Sequence, residues 1–176
     1  VLFFQNSYSQ QNINGWYWMN GQPQSMILNW VKFIDASTIY AVGDRGCFMK
    51  STDGGDSWLI NSQAGPSDIN STVYGGGSRD INTAYFFDAN TGLVGGFSLS
   101  SIGDAIGRTT DGGLTFTKIV TGSGAQSVNG FYFLNSNTGY ACGNTSTRLL
   151  KTTNGGINWT AVPNIPSNTY EAVYAF

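Results

Sequence analysis

The chain has 176 residues, 40% hydrophobic and 14% aromatic but only 10% charged, with a formal net charge of −2. Its 18.9 kDa suit one domain or part of a larger one, and the aromatic content argues against disorder because such side chains bury large apolar areas. The pI of 4.7 argues against a broad nucleic-acid-binding surface, and the absence of His removes Ser-His-Asp and Cys-His catalysis and His-ligated metals.

Val1-Leu2-Phe3-Phe4, with Ser7 and Ser9 as a small-x-small pair, has the form of the end of a secretory signal peptide cleaved before Gln10. Residues 1–9 are read as that remnant and 10–176 as the folded segment; the alternative is an ordinary first strand. The expected location is then secreted or periplasmic. No apolar run reaches the roughly 18 residues of a membrane helix. Cys47 and Cys142 leave open whether a disulfide forms.

Internal repetition is the main signal. Ser51–Trp58 (STDGGDSW), Thr109–Phe116 (TTDGGLTF) and Thr152–Trp159 (TTNGGINW) share Ser/Thr-x-Asp/Asn-Gly-Gly-x-x-aromatic. A second pattern precedes each copy: Phe33-Ile34-Asp35 before Gly43, Phe86-Phe87-Asp88 before Gly96, and Phe133-Leu134-Asn135 before Gly143, always ten positions from Phe to Gly. The units are short apolar runs separated by Gly, Asn, Asp and Ser, without helix-length amphipathic segments. Four strands in about 40–50 residues is a propeller blade. The predicted fold is therefore all-β, with blades of four antiparallel strands at 27–65, 80–120 and 128–165.

In the first unit, strands A to D are predicted near Leu28–Ile34, Ile39–Gly43, Cys47–Ser51 and Ser57–Asn61. The Asp-Gly-Gly segment then forms the C–D turn. Asp53 can accept backbone N–H bonds there, and its glycines permit positive φ. Asn154 can replace Asp, since its amide oxygen also accepts. Trp58, Phe116 and Trp159 are expected to leave the turn and pack into the sheet. Residues 170–176 read as the start of a fourth blade. Residues 15–22 read as an outer strand without partners of its own, because 17 positions separate Trp16 from Phe33, as they do Trp159 from Phe176. The expectation is about three blades of a larger propeller.

The turns resemble the Asp-box, or BNR, repeat at Ser51, Asp53, Gly55 and Trp58; Thr109, Asp111, Gly113 and Phe116; and Thr152, Asn154, Gly156 and Trp159. Phe116 and Asn154 depart from the motif. The longer pattern is similar to propellers of the photosystem II stability/assembly factor type. The resemblance implies a propeller with structural boxes away from the ligand face. It leaves function open, because sialidases, xyloglucan hydrolases and sortilin-like receptors share the box.

Other site readings are weaker. Asp53 and Asp56 suggest a calcium loop, but such a loop usually needs a bidentate Glu, and Glu171 is the only one in the chain. No metal or cofactor is expected. Gly75-Gly76-Gly77 lacks the Lys-Ser/Thr of a phosphate loop. Arg45, Arg79, Arg108 and Arg148 show no sialidase context, and no carboxylate pair is marked. Insertions are more informative. Trp58 and Phe86 are 28 positions apart where the equivalents are 17, and Gly96 and Thr109 are 13 apart where the equivalents are 8 and 9. Both extra lengths, within Asn61–Ile81 and Phe97–Gly107, fall on one rim of blade 2, opposite the Asp-Gly-Gly turns. Loops on a rigid scaffold commonly bind, although tolerated length variation gives the same pattern. Tyr74, Arg79, Asp80, Phe97 and Asp104 are the candidate contacts. The expected function is a non-catalytic secreted module for a protein or glycan, not nucleic acid. The alternatives are part of an Asp-box glycoside hydrolase and a membrane-complex assembly factor.

Overall fold

A computed structural model describes residues 12–13, 16–17, 27–61, 80–97, 105–121, 127–144 and 149–174. Asn12–Ile13 (β1) and Trp16–Tyr17 (β2) form a two-residue antiparallel ladder. The expected outer strand at 15–22 is described only at β2; its remainder and residues 1–9 lie outside the described residues.

Three antiparallel four-stranded sheets follow, each in simple sequence order. The first blade is Leu28–Phe33 (β3), Ile39–Gly43 (β4), Cys47–Ser51 (β5) and Leu59–Asn61 (β6). The second is Ile81–Phe86 (β7), Gly92–Gly96 (β8), Ile106–Thr109 (β9) and Thr117–Ile119 (β10). The third is Val128–Phe133 (β11), Gly139–Gly143 (β12), Leu149–Thr152 (β13) and Thr160–Ala161 (β14). The all-β propeller expectation holds, and in blade 1 strands B and C match it to the residue. Strand D starts at Leu59 rather than Ser57, because the Ser57 N–H is bound to Asp53 Oδ1 at 2.9 Å in the turn.

The core lies between blades, as expected when each sheet must bury both faces. Tyr40, Val42 and Phe48 of blade 1 pack with Ile81, Ala84, Phe86 and Val94 of blade 2. The Tyr40 and Phe86 rings stack at 4.0 Å, and the Tyr40 hydroxyl donates to Ala89 O at 2.7 Å. At the second seam, Leu93 and Ile106 meet Val128, Phe133, Leu150 and Trp159, and Tyr85 stacks on Phe133 at 4.6 Å.

Residues 162–174 carry no strand. Tyr170 N nevertheless donates to Gly143 O at 2.8 Å, and Glu171–Ala172 runs beside Gly130 of β11. This segment sits beside an inner strand but has no second strand to ladder with in the described residues.

Candidate functional site

Two rims are distinguished by their hydrogen bonds. On one, each A–B turn is capped by an acceptor two or three residues upstream: Asp35 Oδ1 takes the Ser37 and Thr38 N–H groups at 2.9 and 2.7 Å. Asp88 takes those of Asn90 and Thr91, and Asn135 those of Asn137 and Thr138. The adjoining C–D turn is tied to it, with Gly54 N donating to Ser37 O, Gly112 N to Asn90 O and Gly155 N to Asn137 O, all at 2.8–2.9 Å.

Within each C–D turn a buried hydroxyl is the hub. Ser51, Thr109 and Thr152 accept from Gly55 N, Gly113 N and Gly156 N at 2.8–3.0 Å. They donate to Asp53, Asp111 and Asn154 Oδ1 at 2.8, 2.8 and 3.0 Å. The same Oδ1 atoms accept the N–H four residues on, from Ser57, Thr115 and Asn158, at 2.9 Å. The second carboxylate oxygens of Asp53 and Asp111 take the Ser57 and Thr115 hydroxyls. These bonds hold Asp53 and Asp111 at a pKa of about 2, below the usual 3.8. The backbone N–H groups of Ser37 and Thr38 do the same for Asp35. Trp58 and Trp159 Nε1 donate to Gly55 O and Gly156 O at 3.0 Å. Phe116 instead meets Phe48 edge-on at 5.3 Å. The hydroxyls, the Oδ1 acceptors and the two Trp Nε1 groups thus all bond within their own C–D turns.

The opposite rim gathers the starts of the inner strands and the B–C turns. Asp44 N donates to Ile27 O at 2.9 Å, and Phe97 N to Asp80 O at 3.1 Å. The B–C turn of blade 1, Asp44–Gly46, carries Arg45 at φ 56 with its side chain exposed. Arg45 N donates to Asp80 Oδ1 at 3.0 Å. Asp80 thus joins blade 2 to blade 1 while remaining exposed, and Phe97 is exposed beside its bridge to Ser127. Tyr74, Arg79 and Asp104, with most of both insertions, lie outside the described residues. No three His, Cys, Asp or Glu side chains converge among the described residues.

Sequence reading missed an asparagine row on this rim. Each inner strand bulges at one residue, between Leu28 and Trp30, Ile81 and Thr83, and Val128 and Gly130. The bulged residues are Asn29, Asn82 and Asn129, and each reaches the next inner segment. Asn29 Nδ2 donates to Ile81 O at 3.0 Å, Asn82 Nδ2 to Asn129 Oδ1 at 3.1 Å, and Asn129 Nδ2 to Glu171 Oε2 at 3.1 Å. The available signal was an Asn four positions before each motif Phe.

No protein-family model matches the chain, and no curated protein matches it. Solved structures do share the fold. YCF48 bound to D1 peptide is 21% identical with a TM-score of 0.56, over 78% of this chain and 40% of that one. YCF48 from Cyanidioschyzon merolae is 20% identical with a TM-score of 0.57, over 79% and 40%. An ancestral GH74 enzyme is 20% identical with a TM-score of 0.55, over 77% and 18%. This chain is therefore similar to a β-propeller of the YCF48 kind, and it spans well under half the length of each of these structures.

Proposed function

We propose that this propeller is a non-catalytic, extracytoplasmic interaction module whose blade 2 rim binds an extended segment of a protein partner. The observation that carries this reading is the exposed group Arg45, Asp80 and Phe97, joined through Asp80 at the ends of the two blade 2 insertions. Arg45 and Phe97 both bond to Asp80, Arg45 N to its Oδ1 and Phe97 N to its carbonyl oxygen, and an exposed aromatic near a cation and a carboxylate suits a peptide, with the ring supplying apolar area and the charges supplying orientation. A propeller of similar fold with a bound peptide supports it further, and the narrower reading as a membrane-complex assembly factor draws on the same likeness.

The test is selection from a displayed random-peptide library. The wild type should enrich peptides that Phe97→Ala, or shortening 61–81 to the 116–133 spacing, no longer binds at unchanged melting temperature. Peptides that bind both variants as tightly as wild type would refute the site.

The GH74 likeness favours a second reading, part of a glycoside hydrolase. Asp35, Asp53, Asp88 and Asp111 are committed to turns on the other rim. On the opposite rim the described carboxylates are Asp44, Asp80 and Glu171. Release of reducing sugar from xyloglucan, lost in Asp80→Asn, would establish it over the binding role.

A further inference from the structure

The described residues contain two Asn-Gly steps, Asn129-Gly130 and Asn154-Gly155. Such a step can modify itself. The Gly N attacks the Asn side-chain carbonyl carbon, and a residue without Cβ does not hinder the approach. A five-membered imide forms, the Cγ–Nδ2 bond breaks, and ammonia leaves with the proton that the Gly N gave up through solvent. Water then adds to one of the two imide carbonyls and restores the Gly N–H. The product is aspartate or isoaspartate.

The fold holds the two steps differently. In both, the side-chain carbonyl oxygen already accepts two hydrogen bonds. Asn129 Oδ1 takes them from Asn82 Nδ2 and Ser127 Oγ at 3.1 and 2.9 Å, and Asn154 Oδ1 from Thr152 Oγ1 and Asn158 N at 3.0 and 2.9 Å. Donors at that oxygen stabilise the charge that develops during attack, so polarisation is common to the two. The difference lies in the leaving nitrogen and the main chain.

Asn129 is half-buried, and its Nδ2 donates to Glu171 Oε2 at 3.1 Å. Gly130 is paired with Cys142 in the ladder of β11 and β12, on a strand anchored by buried Val128 and Phe133. A Cβ at Gly130 would lie 3.3 Å from both Cys142 Sγ and Ala172 Cα. Closing the imide there requires β11 to part from its neighbours on both sides. Asn154 is exposed in a rim turn, and nothing among the described residues meets its Nδ2. Gly155 N is held to Asn137 O at 2.9 Å, a bond between two turns. Opening a rim turn costs less free energy than opening a buried strand.

We propose that Asn154-Gly155 is a site of spontaneous deamidation in the folded protein, released when the Gly155–Asn137 bond opens, and that the fold protects Asn129-Gly130. Aspartate at 154 keeps an Oδ1 acceptor for Thr152 and Asn158 and gives blade 3 the acidic turn of blades 1 and 2. Isoaspartate inserts one more main-chain atom into the stretch that Thr152 Oγ1 and Gly156 N close at 3.0 Å, and so disrupts that turn. Ageing then divides the chain between a form with a titrating third turn and a form with an open one.

The experiment is peptide mapping by mass spectrometry on the full chain held in mildly alkaline buffer, folded or unfolded in guanidinium chloride. Near-UV circular dichroism checks the folded arm, which is run at neutral pH if the alkaline sample loses its signal. Folded, conversion at Asn154 should outpace that at Asn129 by roughly tenfold or more, and unfolding should draw the two rates together. Asn154→Asp supplies the chromatographic standard that separates aspartate from isoaspartate. Asn154→Gln should remove the mass gain from its peptide and leave the rate at Asn129 unchanged. Equal rates in the folded chain, or faster conversion at Asn129, overturn the proposal. So does an Asn154 that stays intact in the folded chain while the unfolded chain converts.

Discussion

The hub hydroxyl of the C–D turn gives the sharpest test of why these segments fold. Thr109 is 1% exposed; its Oγ1 accepts the buried Gly113 N–H at 2.9 Å and donates to Asp111 Oδ1 at 2.8 Å. Thr109→Val keeps the shape and removes only this chemistry. The Gly113 N–H then lacks its acceptor at a cost of about 1–3 kcal/mol, and the lost bond to the carboxylate adds about 1 kcal/mol because Asp111 stays partly solvated. The sum, about 2–4 kcal/mol, corresponds to a fall of roughly 5–15 °C in Tm for a chain of this size. Thr109→Ser retains the hydroxyl and loses one methyl, worth about 1 kcal/mol. Paired thermal and urea melts decide between them. Val at or above the stability of Ser would refute the hub, and with it the explanation of why a Ser or Thr begins all three turns.

Two further outcomes follow from the same bonds. Asp111→Ala should cost about 1–3 kcal/mol in urea melts and Asp111→Asn less, because the amide keeps the Oδ1 acceptor; Asn154→Asp should gain most when paired with Asn158→Ser, which supplies the missing hydroxyl. The aspartates of blades 1 and 2 also make those blades acid-sensitive. Asp35, Asp53 and Asp111 titrate at about 2 when folded against the usual 3.8, so their contribution is complete above about pH 4 and is lost as pH falls toward 2. The corresponding turns of blade 3 use Asn135 and Asn154, which do not titrate. Hydrogen exchange at pH 2–3 should open the turns of blades 1 and 2 while those of blade 3 keep their relative protection, and uniform opening would count against this account.

The fold was legible because the residues that make the turns are local in sequence. A hydroxyl, an acceptor two residues on and a glycine at the fourth place suffice to close a C–D turn, and the copies at Ser51, Thr109 and Thr152 align by eye. Asn154 keeps its place because the Oδ1 atom, rather than the charge, holds the Asn158 N–H. The companion change at residue 158 was not legible. In the acidic copies the second carboxylate oxygen takes the Ser57 and Thr115 hydroxyls, and after Asn154 residue 158 is an Asn with no hydroxyl.

Contacts between blades were harder to read, because their partners stand some fifty positions apart: Tyr40 on Phe86, Tyr85 on Phe133, Asn29 on Ile81. The spacing of Asn29, Asn82 and Asn129 was regular, but a bulge is needed to turn each side chain toward its neighbour, and nothing in an isolated Asn announces one. The candidate rim shows the same division. Asp80 is one of the candidate contacts, and its Oδ1 takes the Arg45 N–H across the seam. Asp80 holds Arg45 through its carboxylate and Phe97 through its backbone carbonyl, so the residue fixes the two relative to each other. Positioning and recognition therefore need not be rival roles for Asp80: a rim rigid enough to select a peptide requires such a clamp, and its loss should weaken binding even where the carboxylate never touches the ligand.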